Sequence, residues 1–320
     1  MRPATFRWMS VLLGIGLASG GLSGVAAADE PGKAADPDAG YAVRLFIAKS
    51  DGSEPKPLVE APHLAHQGSP SWSRDGRLVA FDAWGKTGGN SGSTIYVVNP
   101  DGTNLRRLVD GMMPSLSPQG HRIAFSRFSR GRGIWIVNTD VPDEELIQVD
   151  ETGWGTDWSP DGSRIAFTKH EGGRGNIAIF NIVEGTRSDV FPPGESPYRQ
   201  ISWNFAWSPD GRTIAFRGVR EDGKPELAVV NADGTGQGLK AVVAGEELPA
   251  VSFFPDGRVM FSQAWKEREN RLQLLTVDPT KDAPPELLPG LPLGFIYSDA
   301  APSPQGDFVV YARKKAEAGK

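Results

Sequence analysis

The sequence predicts an all-β fold, a six-bladed β-propeller, and three observations support this fold class. A short motif that ends in a turn recurs six times, at spacings of 44, 42, 49, 46 and 49 residues, and a four-stranded propeller blade has about 40–50 residues. Glycine (39 residues) and proline (26 residues) are abundant in the 320-residue chain, which is typical of many short strands joined by turns. The two ends of the repetitive region each supply half of a further unit, so the ring can close.

The motif is five residues long and places a turn dipeptide, most often Asp-Gly, at its end. Asp-Gly is favoured in hairpins because both central residues of a type I′ turn need a positive φ angle. The apolar run after each copy does not alternate with polar residues, which favours a strand covered on both faces by neighbouring sheets. The six copies are Trp72–Gly76, Leu116–Gly120, Trp158–Gly162, Trp207–Gly211, Phe253–Gly257 and Pro302–Gly306.

Each unit continues through a polar loop into a second apolar run and a weaker strand, so its strands follow the order a, b, c and d. The segment from Tyr41 to Leu58 contains only strands c and d, and residues 302–313 contain only strands a and b. Pairing of these two halves completes a sixth blade and closes the ring, which removes exposed sheet edges. The second apolar runs are Ile95–Val98, Ile134–Val137, Ile177–Phe180, Leu227–Val230 and Leu272–Leu275.

Three copies of the motif resemble the repeat of a known family. Residues Pro70–Phe81, Thr156–Phe167 and Ala206–Phe216 are similar to the repeat of the TolB-type, WD40-like β-propellers, whose consensus is roughly P-x-W-S-P-D-G-x-x-I-A-F. The resemblance implies a propeller that binds a protein partner at the cell envelope. The chain departs from the Tol–Pal members of this family, which carry an α/β domain before the propeller, because only residues 29–40 precede the first predicted strand here.

The first 28 residues predict an exported protein. Arg2 and Arg7 precede the apolar run Val11–Ala18, and the small residues Ala26–Ala28 follow as a cleavage site. This order of charged, apolar and small residues is the pattern of a secretory signal peptide over residues 1–28. The alternative is an uncleaved N-terminal anchor.

The remaining chain is expected to divide into a leader, one propeller and a tail. Residues 29–40 have no periodic apolar pattern and are expected to be a disordered leader. The six-bladed propeller is expected over residues 41–315, and residues 316–320 form a tail. The mature protein is expected to be a monomer in the periplasm or outside the cell, without insertion into the membrane.

Composition and motif content exclude several classes of function. The chain has no cysteine, which excludes disulfides, thiolate metal sites and cysteine nucleophiles. A formal net charge of -5 argues against nucleic acid as a partner. No nucleophile elbow, phosphate-binding loop or zinc-protease motif occurs, so no catalytic residue, metal or cofactor is assigned. His63, His66 and His170 are expected to be ordinary loop residues, because no helix brings them into metal-ligand spacing.

The candidate binding surface is one end of the ring. In a four-stranded meander the a–b and c–d turns share one end, here called the turn end, and the b–c loops and blade connections share the other, here called the loop end. The turn end carries short uniform hairpins, whereas long irregular segments that suit recognition lie at the loop end. The predicted partner-binding residues at the loop end are Trp154, Asp157, Tyr198, Trp203, Tyr297, Asp299, Arg130, Arg132 and Arg174.

These features favour a binding or scaffolding module over an enzyme. Exposed aromatic rings and carboxylates around a concave mouth suit the capture of a peptide, a protein loop or a glycan. Arginines at loop tips would accelerate encounter with an acidic partner. We therefore expect an exported propeller that mediates protein–protein interaction at the cell envelope. The alternative is a carbohydrate-binding or polysaccharide-degrading propeller, and any single aromatic residue could instead pack beneath its loop.

Overall fold

The computed structural model describes residues 36–87, 89, 92–128, 131–141, 146–245, 250–269 and 271–316. Over these residues, 24 strands form six antiparallel sheets of four strands, and each sheet is one blade. The all-β, six-bladed propeller that the repeats predict is therefore confirmed. The predicted signal peptide and residues 29–35 of the predicted leader lie outside the described residues.

The chain begins in the blade that closes the ring and then builds five complete blades in order. The first two strands are β1 (Arg44–Lys49) and β2 (Lys56–Pro57). Blade 1 contains β3 (His66–Trp72), β4 (Val79–Trp84), β5 (Thr94–Val98) and β6 (Arg106–Asp110). Blade 2 contains β7 (Met112–Leu116), β8 (Arg122–Arg127), β9 (Gly133–Asn138) and β10 (Leu146–Asp150).

The second half of the ring repeats the same meander with longer strands in blades 3 and 4. Blade 3 contains β11 (Trp154–Trp158), β12 (Arg164–Glu171), β13 (Arg174–Asn181) and β14 (Thr186–Asp189). Blade 4 contains β15 (Tyr198–Trp207), β16 (Thr213–Arg220), β17 (Pro225–Asn231) and β18 (Lys240–Ala244). Blade 5 contains β19 (Val251–Phe253), β20 (Val259–Trp265), β21 (Arg271–Val277) and β22 (Glu286–Leu287), and blade 6 adds β23 (Phe295–Pro302) and β24 (Phe308–Lys315).

Helix is scarce in the part of the chain that the structure describes. A 3₁₀ turn over Lys266–Arg268 joins β20 to β21. None of the described residues forms a helix with the length and apolar character needed to cross a membrane.

The hydrophobic core lies between neighbouring blades and is built mainly from the second strand of each sheet. The central phenylalanine of this strand is fully buried in five blades, as the unbroken apolar runs predict. Burying one such side chain contributes about 1.5–3 kcal/mol to stability. These residues, each 0% exposed, are Phe81, Phe125, Phe167, Phe216 and Phe261.

Two glycines let the connections between blades pass directly over these phenylalanine rings. A Cβ atom added at Gly111 would lie 2.4 Å from Cδ2 of Phe125, and one added at Gly153 would lie 2.4 Å from Cδ2 of Phe167. Both distances are far below van der Waals contact, so the glycines are required by the close approach of backbone and ring.

The ring closes through pairing of the first and last parts of the described chain. Strand β1 pairs with β24 in an antiparallel register that runs from Arg44 opposite Arg313 to Lys49 opposite Phe308. The closing sheet has the order β2-β1-β24-β23. Closure by two half-blades, which the unmatched ends of the sequence predict, is confirmed.

The last residues of the expected leader are part of the propeller. Residues 37–40 form a turn, and Oδ2 of Asp38 lies 3.0 Å from Nη2 of Arg313 on β24. Both side chains are less than a tenth exposed. The expectation of a disordered leader over residues 29–40 is therefore wrong for residues 37–40. The Asp38 carboxylate pairs with the buried guanidinium of Arg313, and this ion pair holds the turn against β24.

Candidate functional site at the propeller axis

A cavity of about 470 Å³ lies on the axis of the ring, lined by the first strand of every blade. It reaches the turn end, where prolines from five of the six motifs and Arg74 from the remaining one surround it. Residues at the loop-end start of these strands, such as His66 and Trp154, are not among its lining residues. The cavity therefore belongs to the turn end, whereas the sequence predicts recognition at the loop end. The prolines are Pro118, Pro160, Pro209, Pro255 and Pro304.

A bulge recurs in the first strand of the blades at the depth of this cavity. Ser69, Met113, Gly155 and Asp299 each lie three residues before the motif and have positive φ angles of 50°, 53°, 67° and 44°. The register between the first and second strands shifts at these places. Non-glycine residues in this region are strained and are held there by their surroundings. A bulge bends its strand and re-aims the neighbouring side chains, so it shapes the wall of the cavity at this depth.

Polar side chains just before the motif tie successive blades together around the cavity. The Ser71 hydroxyl accepts the N–H of Leu116 at 2.9 Å, and the Ser115 hydroxyl accepts the N–H of Trp158 at 3.0 Å. Oδ2 of Asp157 accepts the N–H of the next motif tryptophan, Trp207, at 2.9 Å. Asp157 is thus a structural link between blades 3 and 4 as well as a lining residue of the cavity.

The same series of links ends at blade 4, where the equivalent residue is Ala206 and has no side-chain acceptor. In blade 5 an acceptor is present, but the link fails for a different chemical reason. Ser252 occupies the equivalent position, and its hydroxyl oxygen is buried without a hydrogen-bond partner within the described structure. The residue that should donate to it is Pro302, the first residue of the sixth motif, and proline has no N–H group. The junction of blades 5 and 6 therefore lacks one inter-blade hydrogen bond that the junctions of blades 1 to 4 possess.

Two of the predicted site residues, Asp157 and Asp299, are carboxylic acids in the cavity wall. Burial raises the pKa of Asp157 to about 7, although Trp207 and Ser115 donate hydrogen bonds to it. Burial also raises the pKa of Asp299 to about 6, and the neighbouring carboxylate of Asp82 adds to the shift. Both groups therefore exchange protons near neutral pH.

Asp82 and Asp299 approach each other across the backbone of blade 1. A Cβ atom added at Gly68 would lie 3.3 Å from Oδ2 of Asp299 and 3.5 Å from Oδ1 of Asp82. Burial raises the pKa of Asp82, which also accepts the N–H of Met113 at 2.7 Å. Neither carboxylate has an ion-pair partner in the described ranges. Burial therefore favours the neutral, protonated form of both carboxyl groups, and repulsion from Asp82 adds to this effect at Asp299.

The two tyrosines predicted as binding anchors are core residues, and that prediction is wrong. Tyr198 and Tyr297 are both 0% exposed. The Tyr198 hydroxyl donates to Oε1 of Glu226 at 2.5 Å, and its ring packs edge-on against Phe216. The Tyr297 hydroxyl donates to the Pro292 carbonyl at 2.6 Å. Both rings fill the space between blades, which the local sequence does not distinguish from an exposed position.

The two predicted tryptophans are partly exposed but lie on different surfaces of the propeller. Trp203 is 38% exposed and lines the axial cavity. Trp154 lies on the loop end, where the ring of Phe128 packs edge-on against it with a centroid distance of 5.7 Å. Phe128 is 60% exposed, and it is not among the binding residues predicted from the sequence. The feature of the sequence that indicates its exposure is a single aromatic residue within a loop of arginine, serine and glycine.

Of the three arginines predicted at the loop tips, Arg174 is paired. Nη1 of Arg174 lies 2.8 Å from Oε1 of Glu221 and donates to the Ser196 carbonyl at 2.5 Å. Arg132 is exposed, as expected, and Arg130 lies outside the described residues. The positive charge predicted at Arg174 is balanced by Glu221, because the longer hairpins of blades 3 and 4 bring this glutamate against it.

The histidines do not converge. His66 stacks on Trp84 with a centroid distance of 4.9 Å, and Nε2 of His170 lies 3.0 Å from the Arg199 carbonyl oxygen. Across the part of the chain that the structure describes, no three histidine or acidic side chains are grouped closely enough to hold a metal ion.

Comparison with known proteins identifies the fold. No protein-family model matches the chain, and no curated protein does. TolB from Acinetobacter baumannii matches with a TM-score of 0.60 and 16% identity over 87% of this chain, which spans 64% of that protein. A putative TolB from Agrobacterium tumefaciens matches with a TM-score of 0.62 and 18% identity, over 85% of this chain and 98% of that one.

A protease domain shares the architecture as well. The β-propeller domain of the Trilobed protease from Pyrococcus furiosus matches with a TM-score of 0.52 and 16% identity, over 78% of this chain and 92% of that one. At these identities the likeness concerns the fold, and one fold supports many functions. The chain is thus a six-bladed β-propeller similar in fold to the propellers of the TolB structures.

Proposed function

We propose that this protein is a TolB-like protein-interaction module whose partner binds at the turn-end mouth of the axial cavity. The observation that carries the proposal is the cavity itself, because a concave site that opens among proline and tryptophan side chains suits an inserted segment of a partner protein. Trp72, Trp158 and Trp207 line its wall beneath the prolines. The similarity to TolB structures supports the same class of function.

We further propose that the protein acts after export, in the periplasm or outside the cell. The N-terminal pattern of basic, apolar and small residues supports cleavage after Ala28. Mass measurement of the exported protein should therefore find Asp29 at the N-terminus. Retention of Met1 or Arg2 would contradict this part of the proposal.

Substitution at the mouth tests the proposed site. Pro255→Arg places a long side chain at the mouth, and the fold should tolerate it because blade 1 already carries Arg74 at the same position of the motif. The variant should lose capture of envelope proteins by the immobilised protein, measured by cross-linking and mass spectrometry. Val183→Arg adds the same charge in the c–d turn of blade 3, at a residue that is 84% exposed and does not line the cavity, and it should leave capture unchanged.

The second candidate function is glycan binding at the loop end. Phe128 and Trp154 support it, because exposed aromatic rings are suitable surfaces for stacking against a ligand. A glycan array provides the test, with Phe128→Ala as the variant. Glycan binding that Phe128→Ala abolishes and Pro255→Arg leaves intact would favour this candidate over the turn-end site.

A further inference from the structure

One residue at the mouth of the axial cavity departs from the pattern of the motif. The third residue of the motif is proline in five blades, but it is Arg74 in blade 1. Proline has a short, rigid ring and no N–H group, so it neither reaches across the mouth nor donates to another blade. Arginine carries a long side chain that ends in a guanidinium with five N–H donors. Blade 1 therefore holds a side chain at the mouth that can change its position.

The main chain of Arg74 is held by both neighbouring blades. Its N–H donates to the Pro118 carbonyl of blade 2 at 3.2 Å. Its own carbonyl accepts a hydrogen bond from Nε2 of Gln305 in blade 6 at 3.4 Å. These contacts fix the point from which the side chain extends, so movement at this position is confined to the side chain.

The side chain of Arg74 spans part of the mouth. Its Nη1 donates to the Pro160 carbonyl of blade 3 at 2.5 Å, although blade 2 lies between blades 1 and 3. By comparison, Arg164 of blade 3 donates to the Gly211 carbonyl of the adjacent blade 4. A contact between two blades that are not neighbours has to pass the blade between them, so the guanidinium lies over the mouth instead of beside one blade.

Arg74 lies at the boundary between the cavity and the surface. Arg74, Pro118 and Pro160 line both the axial cavity and a surface depression of about 450 Å³. The side chain is exposed, and its acceptor at Pro160 is a neutral carbonyl. A single hydrogen bond at an exposed site contributes little free energy, and exposed side chains change rotamer within nanoseconds. The guanidinium can therefore leave the carbonyl readily.

We infer that Arg74 is a gate of the axial cavity. In the closed position the guanidinium is bonded to the Pro160 carbonyl and narrows the mouth between blades 1 and 3. In the open position it has left this carbonyl, and a segment of the partner can pass. This inference rests on the proposed function and adds control of access to it. The gate acts through the reach of the side chain, so it does not depend on the charge of the partner.

A single introduced thiol measures access to the cavity, because the chain has no cysteine. Met113→Cys places the thiol at a partly exposed residue of the cavity wall, at the depth of the bulge. The reagent is a maleimide at the end of an uncharged six-residue glycine–alanine peptide, which has to enter as a segment of a partner would. Arg74→Ala should raise the rate of labelling by this peptide about fivefold, because the mouth is then open all of the time.

Two comparisons distinguish a gate from a general effect on the thiol. N-ethylmaleimide is small enough to pass beside the arginine, so Arg74→Ala should change its rate much less than that of the peptide. Arg77→Ala removes the same charge at a side chain that is 85% exposed and outside the cavity lining, and it should leave both rates unchanged. Melting curves establish that each variant is folded, and Ala301→Cys in the same wall is the second reporter if Met113→Cys does not fold.

The gate and the proposed function fail in different experiments. Equal peptide labelling with and without Arg74 would overturn the gate, and so would an equal acceleration by Arg77→Ala. Capture of envelope proteins that Pro255→Arg abolishes would leave the proposed function standing in either case. Labelling that responds to Arg74→Ala, together with capture that is insensitive to Pro255→Arg, would support the gate and reject the turn-end site for the partner.

Discussion

Aspartate serves two different purposes in this protein, and its surroundings decide which. In the turns, as at Asp161, the carboxylate accepts hydrogen bonds at the surface and its pKa is lowered to about 2. At the axis, Asp157 accepts hydrogen bonds from two other blades, yet burial raises its pKa to about 7. At the axis, the loss of solvation therefore has a larger effect on the pKa than the hydrogen bonds do. In the turns, the hydrogen bonds have the larger effect.

The axial aspartate should make stability depend on pH. The folded protein keeps the Asp157 proton up to about pH 7, whereas the unfolded chain releases it near pH 4, so the free energy of unfolding should fall as the pH rises between these values. Urea unfolding at pH 5 and pH 8 measures this loss. Asp157→Asn should reduce it, because an amide does not ionise and can still accept the Trp207 N–H. An unchanged pH dependence in the variant would contradict the assignment.

A turn aspartate provides the control with the opposite sign. The pKa of Asp161 is about 2 in the folded protein, so its contribution to stability is present above about pH 4 and is lost as the pH falls towards 2. Asp161→Asn keeps an oxygen for the turn N–H and should leave the difference between pH 5 and pH 8 as it is in the unsubstituted protein.

At the scale of single elements, the turn that precedes β1 acts as a clip on the closing blade. Asp38 pairs with Arg313, whose guanidinium also lies 3.4 Å from the ring centroid of Phe46 and 4.1 Å from that of Phe295. The neighbouring Arg44 donates to the Val59 carbonyl at 2.9 Å. The residues before the first strand thus stabilise the junction at which the ring closes.

Breaking the clip should be costly because it leaves a buried charge unpaired. Asp38→Ala should lower the free energy of unfolding by about 3 kcal/mol, measured by urea denaturation. Arg313→Met in the Asp38→Ala background should recover part of the loss, since it removes the stranded cation. Arg107→Ala breaks an exposed ion pair with Asp110 and should cost less than about 1 kcal/mol. Equal effects of Asp38→Ala and Arg107→Ala would mean that the clip is only a surface contact.

The connections between blades should be sensitive to a single added carbon atom. Gly153→Ala would bring a Cβ atom within 2.4 Å of the Phe167 ring and 2.9 Å of Cγ1 of Ile134, so it should destabilise the protein by about 1–3 kcal/mol. Gly92→Ala adds the same atom where nothing lies within 4 Å and should change stability little. Thermal denaturation compares the two, and a neutral Gly153→Ala would show that blades 2 and 3 can move apart.

At the scale of the whole molecule, the closed ring makes every blade depend on its neighbours. The strands of one sheet bury their faces only against the next sheet, so a missing strand exposes both an edge and a core surface. The closing blade is the exception in connectivity, because its strands come from opposite ends of the sequence.

Removal of the last strand, β24, should therefore open the ring. Deletion of residues 302–320 eliminates β24, the partner of both β1 and β23. The loss should be a large part of a typical stability of about 5–15 kcal/mol, and it should appear as a marked fall in melting temperature. A truncated protein that melts within a few degrees of the full chain would contradict closure as a source of stability.

The sequence alone determined the fold class, the number of blades and the closure of the ring. These follow from the repeated motif, from apolar runs such as those containing Phe81 and Phe125, and from the unmatched half-units at the two ends. Each of these signals is local: a turn dipeptide, a run of apolar residues, a spacing. Because every blade repeats the same short-range pattern, six imperfect copies reinforce one another and the architecture can be predicted.

Only the tertiary structure decided which residues face the axial cavity. Tyr198 and Trp203 lie in one strand and look alike in sequence, yet Tyr198 is buried between blades and Trp203 lines the cavity. The pairing of Arg174 with Glu221 and the reach of Arg74 to Pro160 both join different blades. Such contacts depend on how the blades are placed around the axis, and that placement is set by packing and closure of the whole ring, which no single repeat encodes.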